Sequence, residues 1–492
     1  MTETLSTTST TGSPGDSADH AATLDRRNRL VIGILLISVF VMILNETIMG
    51  VALPQLMRDL DITAGTGQWL TAAFLLTMAV IIPITGFLLQ RFSTRSLFIA
   101  AMGLFSLGTL VAALSPGFTL LLVARVIQAS GTAIMFPLLM TTVMTLVPPA
   151  NRGRMMGNIS IVISVAPAIG PTISGLILTA FSWRFMFIFV LPIALVALFV
   201  GGALIKNVTE THKATFDILS VVLSAFGFGG LVYGLSNAGT AGSPLEVWTP
   251  LAIGAVALAL FILRQLRLQR TDRALLDLRT FRVPTFTFSI AMFAISMMAM
   301  FGTIVLLPLY LVNVLGLQEL QVGLLLLPGG LVMGLLAPFV GRIYDRVGPR
   351  GLLIAGAAIV SGDLWAMTLL NAQSSVWMVL AAHVTLSIGL ALIFTPLFTA
   401  SLGSLRPELY SYGSAMVGTI QQLAGAAGTA LFVTVMSSVQ IAQASTGLAN
   451  SYAAGVHTAF LYGAVISLFA IPCAFFIRKI ASPAGTEAPI GH

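Results

Sequence analysis

Leu44-Asn45-Glu46-Thr47-Ile48-Met49-Gly50-Val51-Ala52-Leu53-Pro54 closes an apolar run that begins at Leu30. The run is long enough to cross a bilayer, and Glu46 sits inside it. A carboxylate on a lipid-embedded helix costs several kcal/mol unless it faces protein or water, or takes up a proton. An acid that rests neutral and ionises when water or a cation reaches it is a proton carrier. The rest of the chain reads as the machine that exposes Glu46 to one side of a membrane and then to the other.

Composition supports that reading. The 492 residues are 57% hydrophobic and 8% charged, with a mean hydropathy of +0.99. Soluble domains of this size do not have that balance, so the chain is an all-α polytopic membrane protein. Cys473 is the one cysteine and lies in an apolar run, which excludes a disulfide framework and a thiol metal site. No metal or cofactor is expected. The net charge of +7 is a topology signal rather than a nucleic-acid footprint, because the basic residues are distributed by loop. Residues 1–29, rich in Ser and Thr with Gly12, Pro14 and Gly15, read as a disordered cytoplasmic tail, and residues 480–492 as a second one. The first apolar run, Leu30 to Val51, is too long for the core of a cleavable signal peptide.

Spanning segments recur at about 30–51, 67–89, 97–114, 118–143, 155–180, 184–205, 215–237, 247–265, 286–313, 322–344, 351–370, 375–398, 413–438 and 457–477, fourteen in all. The basic residues test that count. Arg26, Arg27 and Arg29 precede helix 1; Arg91 and Arg95 follow helix 2; Arg152 and Arg154 follow helix 4; Lys206 and Lys213 follow helix 6. Arg264, Arg267, Arg270, Arg273, Arg279 and Arg282 follow helix 8, Arg342, Arg346 and Arg350 helix 10, Arg406 helix 12, and Arg478 and Lys479 helix 14. All fall on one side. Only Arg58 and Arg184 lie opposite, and Arg125 is inside helix 4. The positive-inside rule then puts both termini in the cytoplasm.

The chain repeats itself at a spacing of about 256 residues. Arg125 precedes Gly131 by six positions and Phe136-Pro137 follows; His383 precedes Gly389 by six, and Phe394-Thr395-Pro396 follows. Pro83 and Gly86 match Pro338 and Gly341, and Gly157 matches Gly413. Residues 30–206 and 284–479 are therefore two copies of a six-helix bundle, and residues 207–283 hold two inserted helices and a basic loop. Parallel repeats about an axis along the membrane normal belong to alternating-access transporters with a central site.

Several motifs carry a family resemblance. Gly341-Arg342-Ile343-Tyr344-Asp345-Arg346-Val347-Gly348-Pro349-Arg350 is similar to the Gly-x-x-x-Asp-Arg-x-Gly-Arg-Arg/Lys loop of the major facilitator superfamily. Its first-half counterpart, Gly86 to Arg95, has Gln90 for the acid and Ser93 for the glycine. Arg125-Val126-Ile127-Gln128-Ala129-Ser130-Gly131 resembles the helix-4 Arg-x-x-Gln-Gly-x-Gly of that superfamily, and Ala166 to Gly175, with Gly170-Pro171, its helix-5 antiporter motif. Ser182-Trp183-Arg184-Phe185 resembles its Trp-Arg segment opening helix 6. The resemblance is to the fourteen-helix drug:proton antiporters of the EmrB/QacA type, and it implies the major facilitator fold. Helix 1 departs from the family's Asp-x-Thr-Ile-Val-Asn-Val-Ala-Leu-Pro: Asn45 stands where the acid is usual, Gly50 where the second Asn is, and the acid has moved to Glu46. One position turns it by ~100°. The longer Glu either reaches the same spot or faces a neighbouring helix, as a proton relay rather than a ligand contact.

Depth decides which charges can meet. Glu46 and Arg125 both lie ~10 Å below the outer surface at 1.5 Å per residue, so a pair, direct or through water, is allowed; it is either a proton switch or a static ion pair. Asp363 and His383 share a depth in helices 11 and 12 and form a second relay, a substrate contact, or a satisfied core pair. Asn45, Gln128, Phe136, Trp365, Gln421 and Gln422 are the candidate substrate contacts, backed by adaptable Met and Phe such as Met297 and Phe293. By the resemblance, Gly170 and Pro171 break the helix-5 ladder as a hinge and seal between the halves, unless they only kink it. Gly341, Asp345, Arg346 and Gly348 latch the cytoplasmic ends, Asp345 acting on a helix N-terminus or an arginine.

No ATP-binding loop, zinc-protease motif or catalytic triad is present, so neither an enzyme nor an ATP-driven pump is expected. The proton gradient remains, at ~2.3 kcal/mol per charge per 100 mV. The expected protein is a monomeric, proton-coupled antiporter exporting lipophilic or cationic small-molecule drugs across a bacterial cytoplasmic membrane. The alternative is a narrow exporter or importer of a single metabolite or lipid; a channel is a more distant one.

Overall fold

The computed structural model describes residues 14–207, 217–238 and 243–478, with side chains from residue 27 onward except at 51, 54, 64, 65, 171, 319, 320 and 446. Residues 1–13, Lys213, Lys479, the tail 480–492 and the side chain of Pro171 lie outside the described residues.

The described residues form helices and no strands. The first bundle holds α1 (Pro14–Asp59), α2 (Ala64–Arg91), α3 (Thr94–Leu114), α4 (Phe118–Leu146), α5 (Arg152–Ala180) and α6 (Arg184–Leu204). Then come α7 (Ile218–Asn237) and α8 (Pro244–Leu268). The second bundle holds α9 (Pro284–Asn313), α10 (Glu319–Val347), α11 (Pro349–Met367), α12 (Val376–Gly403), α13 (Tyr410–Ala442), α14 (Leu448–Ser467) and α15 (Ala470–Phe476). Among the described residues, 14 segments are long and apolar enough to cross a membrane, the last being α14 and α15 together (Leu448–Phe476).

Local chemistry sets the helix ends. The hydroxyls of Thr63, Ser93, Ser243 and Ser375 and the carboxylate of Asp217 accept a backbone N–H in the first turn of the helix that each precedes. Gly348, at φ +83°, takes the left-handed backbone that separates α10 from α11. α1 starts earlier than composition suggests: residues 14–29, read above as part of a disordered tail, are helical. A leading proline, aspartates near the start and the Ala21-Ala22 pair favour helix there.

Each bundle repeats one pattern of neighbours. α1 lies on α5 as α9 lies on α13; α2 and α3 lie on α4 as α10 and α11 lie on α12; α3 meets α6 as α11 meets α14. Small residues permit the close crossings. A Cβ at Gly131 would sit 2.3 Å from the Ala101 carbonyl oxygen, and one at Gly389 would meet Val360 at 2.7 Å.

Two seams join the bundles, α5 against α10 and α2 against α13. α7 lies on both α2 and α13, so the inserted pair covers the second seam. A bidentate pair holds the insertion together: Arg264 Nε and Nη2 each donate to Asp217 at 2.7 Å. Those bonds, with help from Ser220, hold the Asp217 carboxyl down to about 2. Gln265 donates to Ser220 at 2.7 Å and accepts the Leu275 N–H at 2.8 Å, tying α8 to the loop beyond it.

Candidate functional site

Arg125 is 1% exposed and held from three directions. Its Nε donates to the Leu70 carbonyl of α2 at 3.3 Å and its Nη1 to Gln128 Oε1 at 3.1 Å. The guanidinium lies 4.1 Å from the centroid of Phe74, a cation–π contact. Gln128 then donates to Thr109 of α3 at 2.8 Å. A buried arginine fixed this way keeps its charge and its direction.

Glu46 is only partly buried. Among the described residues its carboxyl makes no hydrogen bond and no ion pair within 4 Å. Arg125 is the cation that acts on it electrostatically, and Glu46 the anion that acts on Arg125. Acid on α1 and base on α4 thus act on one another electrostatically without closing into an ion pair. Asn45 beside it is 3% exposed, and its Nδ2 has no hydrogen-bond partner.

α5 seats on α1 just past the acid. A Cβ at Gly170 would lie 2.2 Å from Thr47 Oγ1, and Ser174 donates to the Ile48 carbonyl at 3.1 Å. On its way to the basic loops, the same helix meets α10. Ala168 abuts Gly330, Val165 abuts Gly334, and a Cβ at Gly157 would meet the Ala337 carbonyl oxygen at 2.6 Å. α5 is one continuous helix through Gly170 and Pro171, and Gly170 touches α1 of its own bundle rather than the other half.

At the end carrying the basic loops the halves are latched. Asp345 Oδ1 and Oδ2 accept the Gly153 and Arg154 backbone N–H groups, each at 2.8 Å, so the carboxylate caps the N-terminus of α5. Gln90 occupies the equivalent place at the end of α2. It donates to the Glu408 carbonyl at 3.3 Å and Ser411 Oγ at 3.2 Å, and accepts from Tyr412 at 3.0 Å. A neutral amide therefore does in the first half what the acid does in the second. Further in, Thr141 donates to Ser414 at 3.1 Å, Thr395 to Ser160 at 3.0 Å, and Phe136 meets Phe398 edge-on at 6.1 Å. Gln422 reaches Met78 Sδ at 3.4 Å. Toward the opposite end, a Cβ at Gly50, Gly175 or Gly323 would meet nothing within 4 Å.

The remaining candidates divide. His383 repeats Arg125 in the second bundle, its Nε2 3.1 Å from the Leu326 carbonyl of α10, the counterpart of Leu70. Asp363 is 5% exposed, and among the described residues its Oδ2 has no hydrogen-bond partner and no hydrogen bond or ion pair joins it to His383; depth alone matched them. Trp365 is 41% exposed on α11, which lies on α12, α14 and α15, away from both seams. Gln128 is fully buried, its amide engaged with Arg125 and Thr109. Gln421 and Gln422 are partly buried on α13. Gly153, Gly330 and Gly334 went unread in the sequence, although Gly153-x-x-x-Gly157 and Gly330-x-x-x-Gly334 are the spacing of close helix crossings.

Fourteen apolar spans, twelve of them in two repeated bundles, with a partly buried acid acting on a buried arginine inside the first, define a polytopic membrane protein on the two-repeat plan that transporters use. Residues 35–429 match the Major Facilitator Superfamily, and the chain belongs to that family. It is 44% identical over 457 residues to a Bacillus subtilis protein called uncharacterized MFS-type transporter YcnB, covering 92% of this chain and 96% of that one. It is 40% identical over 457 residues to the lincomycin resistance protein LmrB of Listeria monocytogenes, covering 91% and 96%. Among solved structures, the transporter FucP in the outward conformation has the same fold, with a TM-score of 0.62 at 16% identity over 92% of this chain and 100% of that one.

Proposed function

We propose that this chain is a proton-coupled antiporter that exports lipophilic or cationic drugs across the cytoplasmic membrane. The observation that carries the proposal is that Glu46 lies within electrostatic reach of Arg125 but makes no ion pair with it: one proton can switch off such a coupling. While Glu46 is ionised, Arg125 draws α1 toward α4. Protonation removes that attraction and leaves Arg125 charged and held by Leu70 and Gln128. α1 is seated on α5 beside the acid, and α5 runs to the Asp345 latch, so a shift of α1 bears on the seam between the halves. A ligand that binds one state better moves the equilibrium by its differential affinity, and drug and proton do so in opposite senses.

If the basic loops are cytoplasmic, the end latched by Asp345 is the inner one, and Glu46 takes its proton from the outer one. The drug class is supported by the relatives named for lincomycin resistance. Replacing Glu46 by Gln should abolish uphill export of lincomycin and cationic dyes from energised cells, while binding to purified protein persists. Undiminished uphill export by that variant would remove Glu46 from the mechanism. A second reading, a narrow exporter, is favoured by the single drug in those relatives' name. Export of lincomycin alone from a panel of cationic and neutral compounds would establish it.

A further inference from the structure

We infer that Gly50 is the mouth through which water, and with it the proton, reaches Glu46 from the end of the molecule opposite the basic loops. Gly50 follows Glu46 by four residues, so the two share a face of α1. A helical side chain leans toward the N-terminus and covers the turn before its own Cα. Any side chain at position 50 would therefore lie over Glu46, and glycine leaves that turn bare. Gly50 is exposed, and among the described residues a Cβ there would meet no atom within 4 Å.

This opening is not the lipid face of the helix. Ile37, 55% exposed, marks the lipid side and lies nine residues before Glu46, half a turn out of phase at about 100° per residue. Around Gly50 the interior face of α1 is covered. Gly170 of α5 closes over Thr47, and Gly67 of α2 closes over Leu53 and Met57, which lie 3.1 and 3.0 Å from where its Cβ would be. Toward the basic end Val39 and Met42 are buried, so this face of α1 is covered on the far side of Glu46. The charged group the opening leads to besides Glu46 is Arg125.

The purpose of this path rests on the proposal that Glu46 titrates; its existence does not, and the two fail separately. The test labels Glu46→Cys in a Cys473→Ala background, Cys473 being the one native cysteine. A cationic, membrane-impermeant methanethiosulfonate is added to sealed vesicles of either orientation. With Gly50 intact, labelling should be faster from the side opposite the basic loops. Adding Gly50→Leu should slow it at least tenfold, and Gly50→Ala by less. Gly33→Leu, at another open position of the same helix, should leave the rate unchanged and shows that a bulky residue on α1 does not of itself misfold the protein. Equal rates with and without Gly50→Leu, or faster labelling from the basic side, would overturn the inference. If labelling slows as expected but Glu46→Gln still drives uphill export, the path stands and the proton assignment falls.

Discussion

Asp345 of the second bundle accepts the backbone N–H of Gly153 of the first at 2.8 Å, and the two residues meet where α5 begins and α10 ends. This contact joins a charge to a helix dipole across the seam between α5 and α10. Hydrogen bonds to charged groups are worth about 1.5–3 kcal/mol each, and Asp345 makes two of them.

Replacing Asp345 by Asn should therefore favour the state with its basic end open, by roughly tenfold or more. Spin labels at Arg95 and Arg350, both exposed at that end, should report longer distances in the variant. An unchanged distance distribution would mean that the close crossing, not the charge, holds the latch.

The crossing itself gives a second expectation. A Cβ at Gly341 would lie 2.2 Å from the Gly153 carbonyl oxygen, a distance that only backbone movement can relieve. Gly341→Ala should reduce drug export at least tenfold in cells with normal membrane levels of the protein. Gly362→Ala, where nothing lies within 4 Å, should have no effect.

Arg125 needs its fork, not only its charge. Nε and Nη1 reach different partners, Leu70 and Gln128, which a lysine ammonium on a flexible stem cannot hold together. Arg125→Lys should lose uphill export yet bind drug with an affinity within about threefold of the parent. Retention of full export would show that a point charge suffices.

The inserted helices carry a pH signature. The Asp217 carboxyl is held down to about 2 by Arg264, against about 3.9 for an unperturbed aspartate. A lowered folded-state value contributes stability that is present above the unfolded value and is lost as pH falls through the folded one. Asp217→Asn should thus melt earlier than the parent at pH 7 and pH 5, by on the order of 1 kcal/mol after solvent screening of the pair. The difference should shrink as pH falls below about 4. A gap that persists undiminished toward pH 2 would assign it to lost helix capping rather than to charge.

The sequence made the spans, their number and the depth of each polar group legible, because hydropathy and loop charge are one-dimensional signals. Glu46 and Arg125 were matched on depth, and each acts electrostatically on the other without an ion pair among the described residues. Azimuth was not legible. Asp363 and His383 share a depth but no contact, and Trp365, two residues from Asp363, lies on the periphery. Gln128 looked like a ligand contact because lipid would not tolerate it; its partner proved to be Arg125, three residues away on the same helix. Gln90 looked like a lost acid, and only the fold shows that Ser411, Tyr412 and the Glu408 carbonyl satisfy an amide there.

The most direct test of proton coupling at Glu46 is proton release on drug binding, followed with a pH dye in weakly buffered solutions of purified protein. Adding lincomycin or a cationic dye to the parent protein should release protons, and Glu46→Gln should bind the same compound and release none. Equal release by the two proteins would contradict the assignment of the exchanged proton to Glu46.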